Sequence, residues 1–276
     1  MIKINIKQIQ LIESEMLKET LDILTRHGIP FYMCCGSVLG AIRHQGPIPW
    51  DTDMDILIPL PHLQATRNHL ERELSQRFCI DDLRNNPKYK NLFPRVAMPH
   101  TSSDTLHIDL FPIMGLPNNE QEQLKICRKI AKRQKIFVTC KHMRQNISNP
   151  NFVKNCIGKM IEIFCSPYSK KKLTEQYYQL ISKYDYENST YVMNACGHYG
   201  AKNIFDKSVF GTPVMVPYCD FEAPLPEKWD FYLTRYYKDY MKLPPEEERS
   251  FWLNFLLDID ETDYAMVKDV LENEQK

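Results

Sequence analysis

Residues 31–58 constrain the fold more than any other stretch. Phe31 to Cys35 is a short apolar run that reads as a buried strand. Gly36-Ser37 breaks it, and Val38 to Arg43 has the spacing of one or two helical turns. Residues 44–50 hold Gly46, Pro47 and Pro49 and read as a loop. Asp53 to Ile58 then alternates acidic and apolar side chains with the period of a strand before closing on Leu57 and Ile58. Side chains two apart on a strand point the same way. Asp53 and Asp55 therefore share a face, and Asp51 joins them if the extended geometry reaches back that far. Met54, Ile56 and Ile58 face the other way and can pack under a helix.

This order of elements carries chemistry. Neighbouring carboxylates raise each other's pKa, and a bound cation removes that penalty. Hard oxygens with no His or Cys close by in this reading favour Mg²⁺ or Mn²⁺, which complete their shells with water and substrate phosphates. Gly36-Ser37, between strand and helix start, lets a phosphate approach the backbone and the first N–H donors of a helix. Cradle and cation pair together describe a phosphoryl-transfer site. Three acids in five residues also occur in solvated loops and calcium-binding turns, and a lone Gly-Ser is a weak signal. The combination favours a catalytic cation site.

Elsewhere the apolar spacing of Ile9, Ile12, Met16, Leu21 and Leu24 predicts a helix over 6–26, stopped by Gly28 and Pro30. Residues 62–77 read as an amphipathic helix, and 92–98 and 106–111 as strands. After Pro117 the character changes: 119–145, 151–183, 226–238 and 245–257 all read as helical. The expected fold class is α/β (α+β), a mixed sheet with an appended helical part. It forms one domain over 1–276, in which the core occupies 1–117 and the mainly helical remainder, 118–276, forms a wall of the cleft.

The formal net charge is zero, so the whole chain is not a polyanion binder by charge alone. The zero hides an asymmetry. No Asp or Glu occurs over 123–161, where ten Lys and Arg lie, whereas the last 38 residues hold eleven acids against four bases. A solvated helix face is the default reading of the basic stretch. Contact with an anionic membrane surface is the functional one, and nucleic acid is not expected because no binding motif accompanies the charge. Nine cysteines without CxxC spacing read as reduced thiols and not as a zinc site. The first residues lack the apolar core of a signal peptide, and no run of 18 apolar residues occurs. The expectation is a cytoplasmic protein, with peripheral contact at the inner face of the membrane.

The stretch FYMCCGSVLGAIRHQGPIPWDTDMDI resembles the signature of the LicD family, which includes bacterial phosphocholine transferases and the animal fukutin and fukutin-related proteins. His107-Ile108-Asp109-Leu110-Phe111-Pro112 and Tyr240-Met241-Lys242-Leu243-Pro244-Pro245-Glu246-Glu247 resemble two further blocks of that family. The three blocks run from about residue 29 to 249. The resemblance implies a nucleotidyltransferase-like fold in which Asp53 and Asp55 are the metal-binding pair, Asp109 is the third carboxylate on a separate strand, and Asp51 matches a further family acid. Thr52 stands where bacterial members often carry Asp, and its side chain is expected on the opposite face.

Other residues carry divided readings. Arg43 is read as a phosphate contact against a surface ion pair. Arg95 is read as facing the cleft, where the family often has Arg or Lys. His107, two before Asp109, is open to base, substrate contact or packing, with packing the commonest. Trp50 and Tyr240 are read as core ahead of cytosine stacking. His198 and Lys202 lie in a Gly-rich stretch that is a binding loop or an ordinary turn. The resemblance implies Mg²⁺-dependent transfer of a phosphoryl-alcohol group, such as phosphocholine, from a CDP-alcohol donor. The acceptor is a hydroxyl of a glycan or lipid-linked glycan (teichoic acid, lipopolysaccharide or capsule), and CMP is released. Gly36, Ser37 and Arg43 hold phosphate. The alternatives are nucleotidyl transfer with release of pyrophosphate, and a non-catalytic glycan- or membrane-binding protein.

Overall fold

The first helix begins where the sequence supplies a reciprocal cap. In a computed structural model of the chain, which describes residues 1–86, 89, 91–101, 106–145, 167–196 and 199–273, α1 (Ile6–Arg26) opens on Asn5. The Asn5 side chain accepts from the Gln8 N–H, and the Gln8 side chain accepts from the Asn5 N–H. Both satisfy donors a helix start leaves orphaned. Ile9, Ile12, Met16, Leu17 and Leu24 are buried along one face. The helix stops at His27, and Gly28 takes φ +61°, the left-handed turn that favours glycine.

The chain divides into two compact units. The first comprises Met1–Asp81, Pro94–Pro112 and Asp206–Lys276. Its sheet is built from β2 (Tyr32–Met33), β3 (Met54–Pro59), β4 (Cys79–Asp81), β5 (Arg95–Ala97) and the first part of β6 (His107–Leu116). Their order across the sheet is β2-β3-β6-β5-β4. The acid-bearing strand β3 thus lies next to the Asp109 strand β6. The β2–β3, β4–β5 and β5–β6 pairs are antiparallel. Helices α2 (Cys35–His44) and α3 (Leu63–Glu73) connect the early strands. The predicted strand over 31–35 ends sooner, at Met33. Cys34 is extended and caps α2, and Cys35 already starts the helix at φ +50°.

The remainder of this unit holds structure with no local signature. β1 (Ile2–Asn5) pairs antiparallel with β11 (Leu256–Ile259), and β9 (Val214–Tyr218) forms a hairpin with β10 (Phe221–Leu225). β1, β4, β9 and β10 fall outside the elements expected from the sequence, and Leu256 and Leu257 of β11 fall in the helix expected over 245–257 and are strand instead. The helical segments read at 226–238 and 245–257 are shorter, at Trp229–Tyr237 and Glu246–Leu253.

In the second unit, Asp82–Phe93 and Ile113–Phe205, the last four residues of β6 pair antiparallel with β7 (Tyr191–Asn194), which in turn pairs with β8 (Ile204–Asp206). Helix α4 (Glu120–Gln145) opens on Asn119, whose side chain accepts the Glu122 N–H at 2.9 Å. It buries Ile126, Cys127 and Ile130 and exposes Lys125, Arg128, Lys129, Lys132 and Lys135. Helix α5 (Pro167–Ile181) buries Tyr177, whose hydroxyl donates to the Ala195 carbonyl at 3.0 Å. The stretch from 146 to 166, with Lys154 and Lys159 of the basic run, lies outside the described residues. No helix among the described residues is long and apolar enough to cross a membrane. Helices and a mixed sheet make this an α/β chain, as expected.

One glycine fixes how the acidic loop leaves α2. A Cβ on Gly40 would lie 2.5 Å from the Gly46 carbonyl oxygen and 3.3 Å from the Ile48 nitrogen. Both are backbone atoms, so the loop itself would have to move. Gly40→Ala is expected to cost about 1–3 kcal/mol, the scale of overpacking, read as a lowered urea or thermal midpoint. A wild-type midpoint would show that the loop does not rest on the helix there.

Candidate functional site

All the acidic candidates lie in the first unit, on three neighbouring elements. Asp55 is the second residue of β3, and its backbone N–H donates to the Ser37 hydroxyl oxygen at 2.8 Å. Its carbonyl accepts the Cys34 N–H at 3.1 Å. The start of α2 and the start of β3 are thereby fastened together. Ser37 is buried, so what it offers a ligand is its hydroxyl proton. The Cys35 N–H donates to the Tyr232 hydroxyl at 3.0 Å.

Asp51 and Asp53 reach the same place by a different route from the one expected. The strand begins at Met54, so both precede it. Asp51 is set by its own loop, where its N–H donates to the Ile48 carbonyl at 2.9 Å. The Gln10 amide of α1 donates to the carbonyls of Ile48 and Asp51, both at 2.8 Å. Over Gly36 the space is filled by Asp51, since a Cβ there would stand 2.8 Å from its Oδ2. Gly36 leaves room for the end of the Asp51 side chain beside the helix start. Thr52 donates its N–H to Asp51 Oδ1 at 3.1 Å. Asp53 is exposed, at the mouth of the cluster.

Asp109 faces Arg95 directly across the β5–β6 ladder. Arg95 Nε lies 3.1 Å from Asp109 Oδ1, and His107 Nε2 lies 3.5 Å from the same oxygen. All three are buried. Arg95 is thus an internal partner of the third carboxylate, and His107 stands on the same strand face two residues away.

The charges do not balance. Burial, then the charge of Asp53, pushes the Asp51 carboxyl up to about 8. Burial, followed by Asp53, the Cys35 thiol, Asp109 and Asp51, holds Asp55 well above the ordinary carboxylate range. Burial acts the same way on Asp109, but His107 and Arg95 outweigh it and keep that group below its usual value. Oδ1 of Asp55 is buried with no hydrogen-bond partner. Such an oxygen is costly unless a cation meets it. Asp55 is therefore the acid on which a divalent cation would settle first, with Asp51 and Asp53 on the preceding loop and Asp109 on the adjacent strand; no three of these four acids hold oxygens within 4.8 Å of one another. The site is not free of softer donors, as the sequence reading assumed: the Cys34 and Cys35 thiols and an Asp55 oxygen lie within 4.8 Å of one another, and His107 adjoins Asp109.

A fifth carboxylate was not anticipated. Glu13 of α1 is fully buried. Burial raises its pKa well above normal; Asp53, Asp51 and Asp109 add to this, and the His107 N–H relieves it only in part. A signal existed, because position 13 falls four residues after Ile9 and four before Leu17, on the apolar face.

The remaining candidates gather elsewhere or apart. Arg43 donates through Nε to His44 at 2.9 Å and through Nη1 to the Tyr240 carbonyl at 2.9 Å. Trp50 lies under two guanidinium groups, Arg43 at 5.6 Å and Arg249 at 5.3 Å from the ring centroid. The first and third sequence blocks therefore meet at Arg43 and Tyr240, and Trp50 is half-buried and not core. Tyr240 is not core either; its hydroxyl donates to Asp230 at 2.5 Å. Lys202 lies in a short 3₁₀ turn, Gly200–Asn203, of the second unit. His198 falls outside the described residues.

Comparison with known proteins singles out the same segment of the chain. Residues 28–157 match a family model described as LicD/FKTN/FKRP, nucleotidyltransferase domain. That span contains every expected site residue and omits Glu13. The lipopolysaccharide cholinephosphotransferase LicD of Haemophilus influenzae is 24% identical over 257 residues, 90% of this chain and 95% of that protein. Uncharacterized proteins of Rickettsia prowazekii and Rickettsia typhi are 39% identical over 62 residues and 45% over 42, covering 22% and 15% of this chain and 22% and 14% of theirs. The matched family segment is the one that builds the acidic site, and the family match and the near end-to-end relative both support the LicD family for this chain.

Proposed function

We propose that the chain transfers a phosphoryl-alcohol group, phosphocholine in the first instance, from a CDP-alcohol to a hydroxyl of a cell-surface glycan. The single observation that carries this reading is that Asp55, buried with an Oδ1 that closes no hydrogen bond, lies on the strand next to Asp109 and directly after the loop that bears Asp51 and Asp53. The Haemophilus relative, a lipopolysaccharide cholinephosphotransferase by name, supports the group transferred and the kind of acceptor. Asp53, Asp55 and Asp109 hold Mg²⁺ or Mn²⁺, with Asp51 beside them. When bound, the cation neutralises the donor diphosphate and stabilises the leaving phosphate.

The acceptor oxygen forms a bond to the phosphorus that bears the alcohol. The bond from that phosphorus to the CMP oxygen breaks, CMP leaves with the electron pair, and the acceptor proton passes to a carboxylate of the cluster. Arg95 and His107 outweigh burial and hold Asp109 below the usual carboxylate value, which suits it to a cation and makes it a weak base for that proton. Such chemistry rests on positioning and charge stabilisation. The exposed Lys and Arg of α4 suit an anionic membrane surface near a lipid-linked acceptor.

The test is a thermal-shift screen of CDP-choline, CDP-ribitol, CDP-glycerol, CTP and CMP, each with and without Mg²⁺, followed by product analysis with the ligand that binds. A ligand at a hundred times its Kd stabilises by about 2.7 kcal/mol, a rise of a few degrees. The expected result is a Mg²⁺-dependent rise with one CDP-alcohol, then CMP release in the presence of acceptor. A rise with CTP alone and formation of pyrophosphate would replace this reading with nucleotidyl transfer. Vesicle binding without any nucleotide binding would replace it with a binding protein.

A further inference from the structure

The far end of α1 meets α3 in a second group of ligating side chains. His27 follows the last residue of α1, where Gly28 turns the chain away. His69 and Glu73 stand four apart on α3, so the helical period puts them on one face. The two helices pack against each other within the first unit. His27 Nε2 lies 2.5 Å from Glu73 Oε1, and His69 Nδ1 lies 3.4 Å from the same oxygen. The two imidazole rings are stacked, with centroids 3.6 Å apart and planes inclined by 23°. One nitrogen from each ring and the Glu73 oxygen all fall within 4.8 Å of one another.

Two ring nitrogens turned on one carboxylate oxygen have the spacing of metal ligands. Ligands bound at about 2.0–2.1 Å in a tetrahedral shell stand about 3.3 Å apart. The His69 contact already has that separation, and the His27 contact has to open by only about 1 Å to reach it. The carboxylate is held for the purpose. Arg26 Nη1 donates to Glu73 Oε2 at 3.0 Å and leaves Oε1 to the rings, and ligating carboxylates are commonly oriented this way by a hydrogen bond to the other oxygen. Asp22 pairs with Arg26 Nε at 3.2 Å, so the guanidinium charge beside the group is offset. The last carbonyls of α1 also point here and favour a cation. All three side chains are partly exposed, which leaves water a fourth position.

The donor types say which ion. Mg²⁺ prefers an all-oxygen shell, whereas two imidazoles and a carboxylate suit Zn²⁺ and its transition-metal neighbours. The place is also remote from the acidic loop. Arg26 lies about 24 Å along the helix from Gln10, the residue that grips Asp51.

We propose that His27, His69 and Glu73 form a second metal site, for a Zn²⁺-class ion, that clasps the end of α1 to α3. It stands apart from the transferase reading and requires nothing of the acidic site. Its ligands come from two helices, so the unfolded chain does not assemble it and the ion stabilises the fold.

The experiment titrates Zn²⁺ into the chelator-treated chain by calorimetry, with thermal midpoints and backbone hydrogen exchange measured with and without the ion. The proteins are the wild-type chain, His27→Gln, His69→Gln and, as a reference for the acidic site, Asp55→Asn. The two histidines sit on different elements, so a folding failure of one variant leaves the other to be read. The expected result is that Zn²⁺ at a hundred times its Kd raises the wild-type midpoint by a few degrees and slows exchange at the end of α1 and along α3. In both histidine variants the affinity falls by at least about a hundredfold, since a ligand is lost and not merely its support. The midpoint rise and the local slowing go with it, and Asp55→Asn keeps all three. A wild-type chain that binds no Zn²⁺ would overturn the proposal. Wild-type affinity in both histidine variants would do the same. So would affinity lost only in Asp55→Asn with exchange slowed around β3, which would put the ion in the acidic site instead.

Discussion

Asp55→Asn is expected to lower the rate of group transfer by about three orders of magnitude, the scale of removing one preorganised electrostatic group. The protein should remain folded. Asp55 is buried, and its Oδ1 lacks a hydrogen-bond partner, so its charge destabilises the cation-free chain. Asparagine has nearly the same shape and no charge to desolvate. The backbone contacts that position the residue, from its N–H to Ser37 and from Cys34 to its carbonyl, do not involve the side chain and survive the change. The cation-free midpoint should therefore hold or rise, while the midpoint gain on adding Mg²⁺ or Mn²⁺ disappears. Rates measured with the donor that supports wild-type turnover, and melts with and without the ion, check both halves. Near-native turnover, or an undiminished gain from the ion, would remove Asp55 from the cation site.

The readability of this site from sequence follows the range of the interactions that make it. The strand, helix, loop and strand over 31–58 are encoded by local spacing and by Gly36, Pro47 and Pro49, and they stand nearly where expected. The alternation of Asp53 to Ile58 announced β3, but alternation alone could not show that the ladder starts at Met54. Asp51 joins the cluster through a tertiary contact, the Gln10 amide on α1, which no local pattern contains. The pairing of Ile2–Asn5 with Leu256–Ile259 joins opposite ends of the chain by two four-residue strands. Neither strand is long enough to show a period by itself. The hairpin of β9 and β10 was lost for a related reason: its outward residues and the two Pro in it blur the alternation.

Glu13 was missed because an acid on an amphipathic helix is usually on the wet face. The helical period put it on the dry face, between Ile9 and Leu17, and that conflict between residue type and position was the available signal. Places where local rules are broken without an apolar remedy are where function is to be looked for. The same logic applies at Cys35, a residue other than glycine at φ +50°, at the turn that brings α2 against Asp55.

Arg95→Met is expected to destabilise the chain by about 3–5 kcal/mol, the usual cost of breaking a buried ion pair from one side. Methionine replaces the aliphatic stem, so the loss is chiefly electrostatic. It leaves Asp109 buried beside His107 with no guanidinium, and it also leaves Asp81, the residue directly opposite Arg95 on β4. Two further measurements separate this account from a contact between Arg95 and substrate. The double variant Arg95→Met, Asp109→Asn should cost less than Arg95→Met alone, because no uncompensated charge remains on β6. Divalent cation should restore part of the stability of the single variant and none of that of the double, since the ion takes over the neutralisation of Asp109. Substrate contact makes the opposite forecast: a wild-type midpoint, a raised KM and no coupling to Asp109. That pattern would move Arg95 out of the scaffold of the third carboxylate and into the donor site.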